Sequence, residues 1–168
     1  WNELTFAYDK YNEFDNAVLT MMDHPSVAWR HQYFKDTIAQ VSNADIIYRS
    51  LNFYLQYDPL ELNDLLNTVG SKIDPSRVVD IFKRTNNLQL IKSWLATAQT
   101  NNIQAVNEAL NQLYIEDGDY ESLRHSIDHF DLFEAISLAR SLENHECLEF
   151  RRISSYIYRK QQRWNEAI

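Results

Sequence analysis

The chain has 168 residues, with 16 Lys and Arg against 24 Asp and Glu, giving a net charge of −8 at pH 7. That balance argues against a general nucleic-acid surface or an anionic-membrane surface, since both require clustered cations. Two Gly and three Pro are too few for the many turns of an all-β fold. The one cysteine, Cys147, has no internal disulfide partner, and no Asn-x-Ser/Thr site occurs; a reducing cytosolic compartment is expected. No apolar run approaches the roughly 20 residues of a membrane span, and no signal peptide is visible.

Helix punctuation can be followed along the chain. Asp15 is expected to cap a helix carrying Val18, Leu19 and Met22, and Pro25-Ser26 to break the chain before a helix over Val27 to Val41. Asn43 reads as the cap of a helix with Ile46, Ile47, Leu51, Tyr54 and Leu55 on its apolar face. Pro59 sits where a helix can begin, because its missing N–H would have no partner there anyway. Leu60, Leu62, Leu65, Leu66 and Val69 follow, with Gly70 as a C-terminal stop. Asp74-Pro75 is a second cap and first-position pair, leading into Val78 to Phe82. Helices over Leu88 to Ala98 and Ile103 to Ile115 are separated by Thr100-Asn101-Asn102. After Gly118, Asp119 caps a helix through Ile127; helices over Leu132 to Leu142 and Cys147 to Arg159 come next, and Trp164 begins the last.

The pattern also returns on itself. Leu4, Tyr8, Asp9, Phe14 and Ala17 match Leu123, Ile127, Asp128, Phe133 and Ile136 at an offset of 119, and a third copy sets Tyr158 and Trp164 opposite Tyr8 and Phe14. Such self-similarity marks stacked helical hairpins, each unable to bury its apolar face without neighbours. About twelve helices with short links give hairpins every 28–31 residues or so, below the 34 of tetratricopeptide repeats. The expected fold is all-α: one continuous α-solenoid of antiparallel helical hairpins over residues 1–168. Trp1 opens inside an apolar pattern and Ile168 stops a helix soon after it starts, so a segment cut from a longer array is expected.

Candidate chemistry is sparse. His125 and His129 stand at i, i+4 on one helix face, a spacing that can grip zinc, but no Glu follows His125 and no third ligand lies nearby in sequence. A pH-sensitive contact is the other use of such a pair. Glu116-Asp117-Gly118-Asp119 resembles a calcium loop only superficially and reads as helix capping. Cys147 beside His145 and Glu146 reads as a structural thiol, because catalytic pairs are assembled in space with a third orienting group. Two Gly exclude Walker and Rossmann phosphate loops. The aromatic residues fall at core spacing rather than on a stacking platform for single strands. No cofactor, metal or catalytic residue is expected. Arg151-Arg152 and Lys160 to Arg163 form a basic segment that suits either a solvated face or an acidic partner helix.

Several strings carry a resemblance. Tyr8-Asp9-Lys10-Tyr11, Asp15-Asn16-Ala17, Phe34-Lys35-Asp36 and Asn63-Asp64-Leu65-Leu66 occur in order. Val106-Asn107-Glu108-Ala109-Leu110-Asn111, Ser126-Ile127-Asp128, Glu149-Phe150-Arg151-Arg152-Ile153 and Tyr156-Ile157-Tyr158 follow. From Trp1 to Ile168 the chain resembles the clathrin heavy chain family, in the proximal part of the leg. Departures at Asn43-Ala44-Asp45 and at Ile73-Asp74-Pro75 keep helix and cap chemistry. The resemblance implies a right-handed superhelix and a non-enzymatic scaffold on the cytoplasmic face of coated pits and coated vesicles. It implies two kinds of partner: other clathrin heavy chains, in the trimer and lattice, and the clathrin light chain, lying as a helix along the leg. Neither nucleic acid nor direct membrane insertion is implied. Lys35, Lys92, Arg124 and Arg151, chosen as basic residues in or near the matched strings, are the candidate light-chain contacts. The alternatives are an α-solenoid adaptor or vacuolar sorting tether that grips peptides, and a metalloenzyme built on His125 and His129.

Overall fold

Most of these punctuation marks are realised in the structure, a computed structural model that describes residues 1–163. Among the described residues there are twelve α-helices joined by short links and 3₁₀ turns, with no strand. The architecture is all-α, built from helical hairpins of the solenoid type. The chain divides into two compact units, Trp1–Trp94 and the part from Leu95 onward.

The first unit opens with α1 (Asn2–Lys10) and α2 (Phe14–Asp23), which pack as a hairpin. Asp15 does not cap α2: Glu13 precedes the helix and Asp15 lies in its first turn, where a carboxylate still favours the helix dipole. The helix expected over Val27 to Val41 is two helices, α3 (Pro25–Ala28) and α4 (His31–Ile38). Trp29 and Arg30 between them are extended, and the indole of Trp29 meets the edges of Phe53 and Tyr54 at 5.8 and 5.6 Å. Lys72 donates to the carbonyls of Ala39 and Val41 just past α4, a cation where the dipole favours one.

α5 (Ala44–Tyr57) begins as expected, with the Asn43 side chain accepting from Asp45 N–H. Pro59 opens a 3₁₀ turn that runs into α6 (Leu62–Val69). Gly70 does not take the left-handed stop conformation; its φ is −56° and it continues into a 3₁₀ turn. The break comes at Ile73, which is extended, and Asp74 accepts from Ser76 N–H to start α7 (Pro75–Arg84). After a 3₁₀ turn over Leu88–Ile91, α8 (Lys92–Ala98) carries the chain across the unit boundary. The core here is fully buried Met21, Phe34, Ile38, Ile47, Leu51, Tyr54, Leu62, Leu65 and Leu66.

In the second unit α9 (Gln104–Glu116) pairs with α10 (Tyr120–His129), and α11 (Ala135–Leu142) with α12 (Leu148–Lys160); α10 also packs on α12. Asp119 caps α10 by accepting from Ser122 N–H. α11 starts at Ala135 rather than Leu132, whose carbonyl instead accepts from the buried Asn107 amide at 3.0 Å. The helix expected from Trp164 lies outside the described residues. Leu123, Ile127, Ala139, Leu142, Phe150, Ile153, Ile157 and Tyr158 form the core. A buried polar chain crosses it: Gln99 Nε2 donates to Ser126 Oγ at 2.8 Å, and Ser126 donates to Asn111 Oδ1 at 2.7 Å.

One helix stop recurs. Asn12, Asn86, Gly118 and Gln162 have positive φ. In each case the next residue's N–H returns to an aromatic residue's carbonyl at 2.8 Å: Tyr8, Phe82, Tyr114 and Tyr158. This is the Schellman arrangement, which satisfies carbonyls that a helix end would leave open. The offset of 119 superposes α1 and α2 on α10 and α11, but α10 ends extended at Phe130 instead. In the third copy Tyr158 repeats Tyr8 at the same kind of stop, while Trp164 lies outside the described residues.

Candidate partner-docking residues

Lys35 lies on α4, one turn after His31, and both face α6. Its ammonium donates to Asp64 Oδ2 at 2.6 Å, and His31 Nε2 meets the same oxygen at 2.8 Å. His31 Nδ1 stands 2.9 Å from the buried Tyr54 hydroxyl, and Glu61 lies 3.4 Å from Nε2. A neutral ring protonated on Nε2 satisfies both contacts, accepting from Tyr54 and donating to Asp64. The Lys35 and His31 hydrogen bonds hold the Asp64 carboxyl below the usual carboxylate range, and burial pushes the Tyr54 phenol well up. Lys35 is 19% exposed and Asp64 44%, so the pair is half-screened rather than a free surface charge.

His31, Glu61 and Asp64 bring three ligand atoms within 4.8 Å of one another. The Lys35 ammonium and the His31 N–H already use the Asp64 oxygen, so a cation there would face a fixed positive charge. The i, i+4 pair is also spent differently: His125 and His129 stack at 4.0 Å, and His129 Nδ1–H donates to the His125 carbonyl at 2.8 Å. His145 accepts at Nδ1 from Cys147 N–H at 3.0 Å, a turn contact at the start of α12 rather than an imidazole–thiol pair.

Arg124 sits on α10. Its Nε donates to Asp128 Oδ2 at 3.0 Å, and its guanidinium lies 3.3 Å from the Tyr156 ring centroid. Tyr156 completes the triangle by donating to Asp128 Oδ1 at 2.6 Å. Burial raises the Asp128 carboxyl, but the Tyr156 and Arg124 contacts outweigh it and leave the group below the ordinary range; the same bond to Asp128 pushes the Tyr156 phenol up. Arg151 is exposed on α12, beside the Arg152–Glu149 pair at 2.7 Å. Lys92 is half-buried at the first position of α8. Lys35 and Lys92 thus belong to the first unit and Arg124 and Arg151 to the second, each in its own neighbourhood.

Asn63 was not singled out by its chemistry in the sequence. Its Nδ2 donates to the Leu90 carbonyl at 2.8 Å and its Oδ1 accepts from Trp94 N–H at 3.0 Å. Together with Asp64 and fully buried Leu65 and Leu66, it makes Asn63-Asp64-Leu65-Leu66 a turn in which every side chain has a fixed task.

A family described as the region in clathrin and VPS matches residues 66–168. The chain belongs to the clathrin repeat family. Over all 168 residues it is 49% identical to clathrin heavy chain 1 of Oryza sativa and to the clathrin heavy chain of Drosophila melanogaster. Against clathrin heavy chain 2 of Homo sapiens the figure is 48%. The chain spans about 10% of the length of these relatives. Among the described residues no helix is long and apolar enough to cross a membrane.

Proposed function

We propose that this chain is one stretch of the proximal leg of a clathrin-type coat, a continuous α-solenoid segment over residues 1–168 that acts as a scaffold and not as an enzyme. The observation that carries the reading is similarity at 48–49% identity along the whole chain to proteins named clathrin heavy chains. In this role contact with other heavy chains builds a lattice on the cytoplasmic face of coated pits and vesicles during endocytosis and vesicle transport. Many weak contacts made by linked legs give strength through avidity while each remains reversible.

The clathrin light chain docks as a helix with apolar anchors and flanking ion pairs. Lys35, Lys92, Arg124 and Arg151 supply cations along its path. Asp64 fixes the Lys35 ammonium with one of its three N–H donors, which supports Lys35 as a positioned contact. Calorimetric titration of the chain with the central helical segment of a clathrin light chain tests this. Saturable one-to-one binding that weakens on Lys35→Glu or Arg151→Glu is expected. Absence of binding to a chain shown to be folded and helical would refute light-chain docking and favour a vacuolar sorting tether, for which saturable binding of short peptides is the mark.

A further inference from the structure

A cleft of about 480 Å³ runs between α9 and α11 in the second unit. Its floor is apolar, made by half-buried Ile115, Phe133 and Leu138, and its rim carries the carboxylates of Glu108, Glu116 and Glu134. No Lys, Arg or His is among the described residues lining it. Two rim carboxylates are held in place. Glu108 Oε1 accepts from Glu134 N–H at 3.1 Å and from Gln104 at 3.0 Å, and Glu116 accepts from Gln112 at 2.8 Å. Fixed acceptors around an apolar trough lose little freedom when a cationic partner arrives. On the α11 side, exposed Ser137 and Ser141 are small enough to let a backbone come close.

We propose that this cleft docks a cationic amphipathic helix, with apolar anchors at i, i+3 or i+4, and i+7 seated on Ile115, Phe133 and Leu138 and with Lys or Arg flanks meeting the three carboxylates. Charge and shape select this occupant: helix-in-groove docking uses apolar anchors at that spacing, and an anionic rim penalises an acidic helix while steering a basic one. A second copy of the chain fits less well. Among the described residues, its exposed basic stripe on α12, with Arg151, Arg152 and Arg159, has only Leu148 as an exposed large apolar residue, too little to fill the floor. The cleft therefore prefers the opposite charge to the one Lys35 and its companions would attract, and its partner differs from the acidic helix proposed for them.

The test is fluorescence anisotropy with the full 168-residue chain and two synthetic helical peptides that share a leucine stripe, one flanked by lysines and one by glutamates. The lysine peptide is expected to bind saturably, with the glutamate peptide about tenfold weaker, as three exposed charge pairs would give. Ser137→Arg, which fills and charges the cleft mouth, is expected to weaken the lysine peptide about tenfold. Glu116→Lys should weaken it about threefold, Ser137→Ala should preserve binding, and added salt should reduce it. Circular dichroism establishes that each variant is folded. Equal binding of both peptides, or binding unchanged in folded Ser137→Arg, overturns the proposal. Equal binding of a lysine peptide with its leucines replaced by serine reduces the cleft to an acidic patch, and self-association abolished by Ser137→Arg makes a second copy the occupant; either overturns it as well.

Discussion

Asn63 offers a clean test of how neighbouring hairpins are locked, because one uncharged side chain closes two backbone gaps. Trp94 N–H lies in the first turn of α8, where a helix has no internal acceptor for it, and Asn63 Oδ1 supplies one at 3.0 Å. That is an N-cap delivered from α6, for which truncation costs about 0.5–2 kcal/mol. Its other end satisfies the Leu90 carbonyl at 2.8 Å, a contact whose net value is about 1 kcal/mol. Asn63→Ala should therefore destabilise by about 2 kcal/mol, which lowers the melting temperature of a chain this size by about 4–8 °C. Asn63→Asp keeps the acceptor and loses the donor, so it should cost about half as much, with Trp94 N–H still capped. Urea denaturation gives the energies, and hydrogen exchange at the Trp94 amide gives the location. A loss below about 0.5 kcal/mol, within the ordinary surface range, together with unchanged Trp94 exchange would refute the clamp.

Asp64 has a depressed pKa, so its pairing contributes stability above the ordinary carboxylate pKa, near 4, and that contribution is lost as pH falls through the lower folded value. Asp64→Asn should remove that part of the acid sensitivity and cost about 1 kcal/mol at neutral pH, a charged hydrogen bond discounted for exposure; urea titrations at several pH values measure both. Tyr156→Phe should raise the Asp128 pKa by removing its 2.6 Å donor, as followed by carboxyl carbon NMR, at a cost of about 1 kcal/mol. Gly118, at φ 71°, should lose about 1 kcal/mol on substitution by Ala, read by thermal denaturation, whereas Ala in place of a glycine at ordinary φ would not show this loss.

The all-α architecture was legible because helix starts are local chemistry. Asn43, Asp74-Pro75 and Asp119 each cap the helix they announce, using a side chain and a backbone N–H two or three residues away. Helix stops are less legible. Gly70 is a glycine that does not stop its helix, whereas left-handed residues stand at Asn12, Asn86, Asn102 and Gln162 as well as Gly118; Asn tolerates that conformation, and an aromatic residue four positions earlier is the available sign at all of them but Asn102. The break at Trp29-Arg30 carries no Gly and follows Pro25 by several residues. It was invisible because the contacts that go with it, Trp29 against Phe53 and Tyr54, join residues far apart in sequence.

The same limit governs the candidate docking residues. Lys35 and Arg124 are legible as cations in or near matched strings, but their partners Asp64 and Tyr156 lie 29 residues away in sequence for Lys35 and on another helix for Arg124. The buried amides of Asn107 and Asn111 explain why polar residues stand inside an otherwise apolar helix pattern in Val106 to Asn111. Periodicity alone would have placed them on the surface. Asn107 Nδ2 donates to Leu132 and Asn102, and Asn111 Oδ1 accepts from Ser126, which makes those polar groups tolerable in a core, although Asn107 Oδ1 is buried without a hydrogen-bond partner.

The most direct measurement is a graft. The 168 residues replace the matching segment of a Drosophila melanogaster clathrin heavy chain, to which they are 49% identical, and lattice formation is followed by light scattering and electron microscopy. If the segment is a leg scaffold, the chimaera forms trimers, binds light chain and assembles into closed lattices. Chimaeric trimers that are folded and bind light chain but never assemble would contradict the scaffold role.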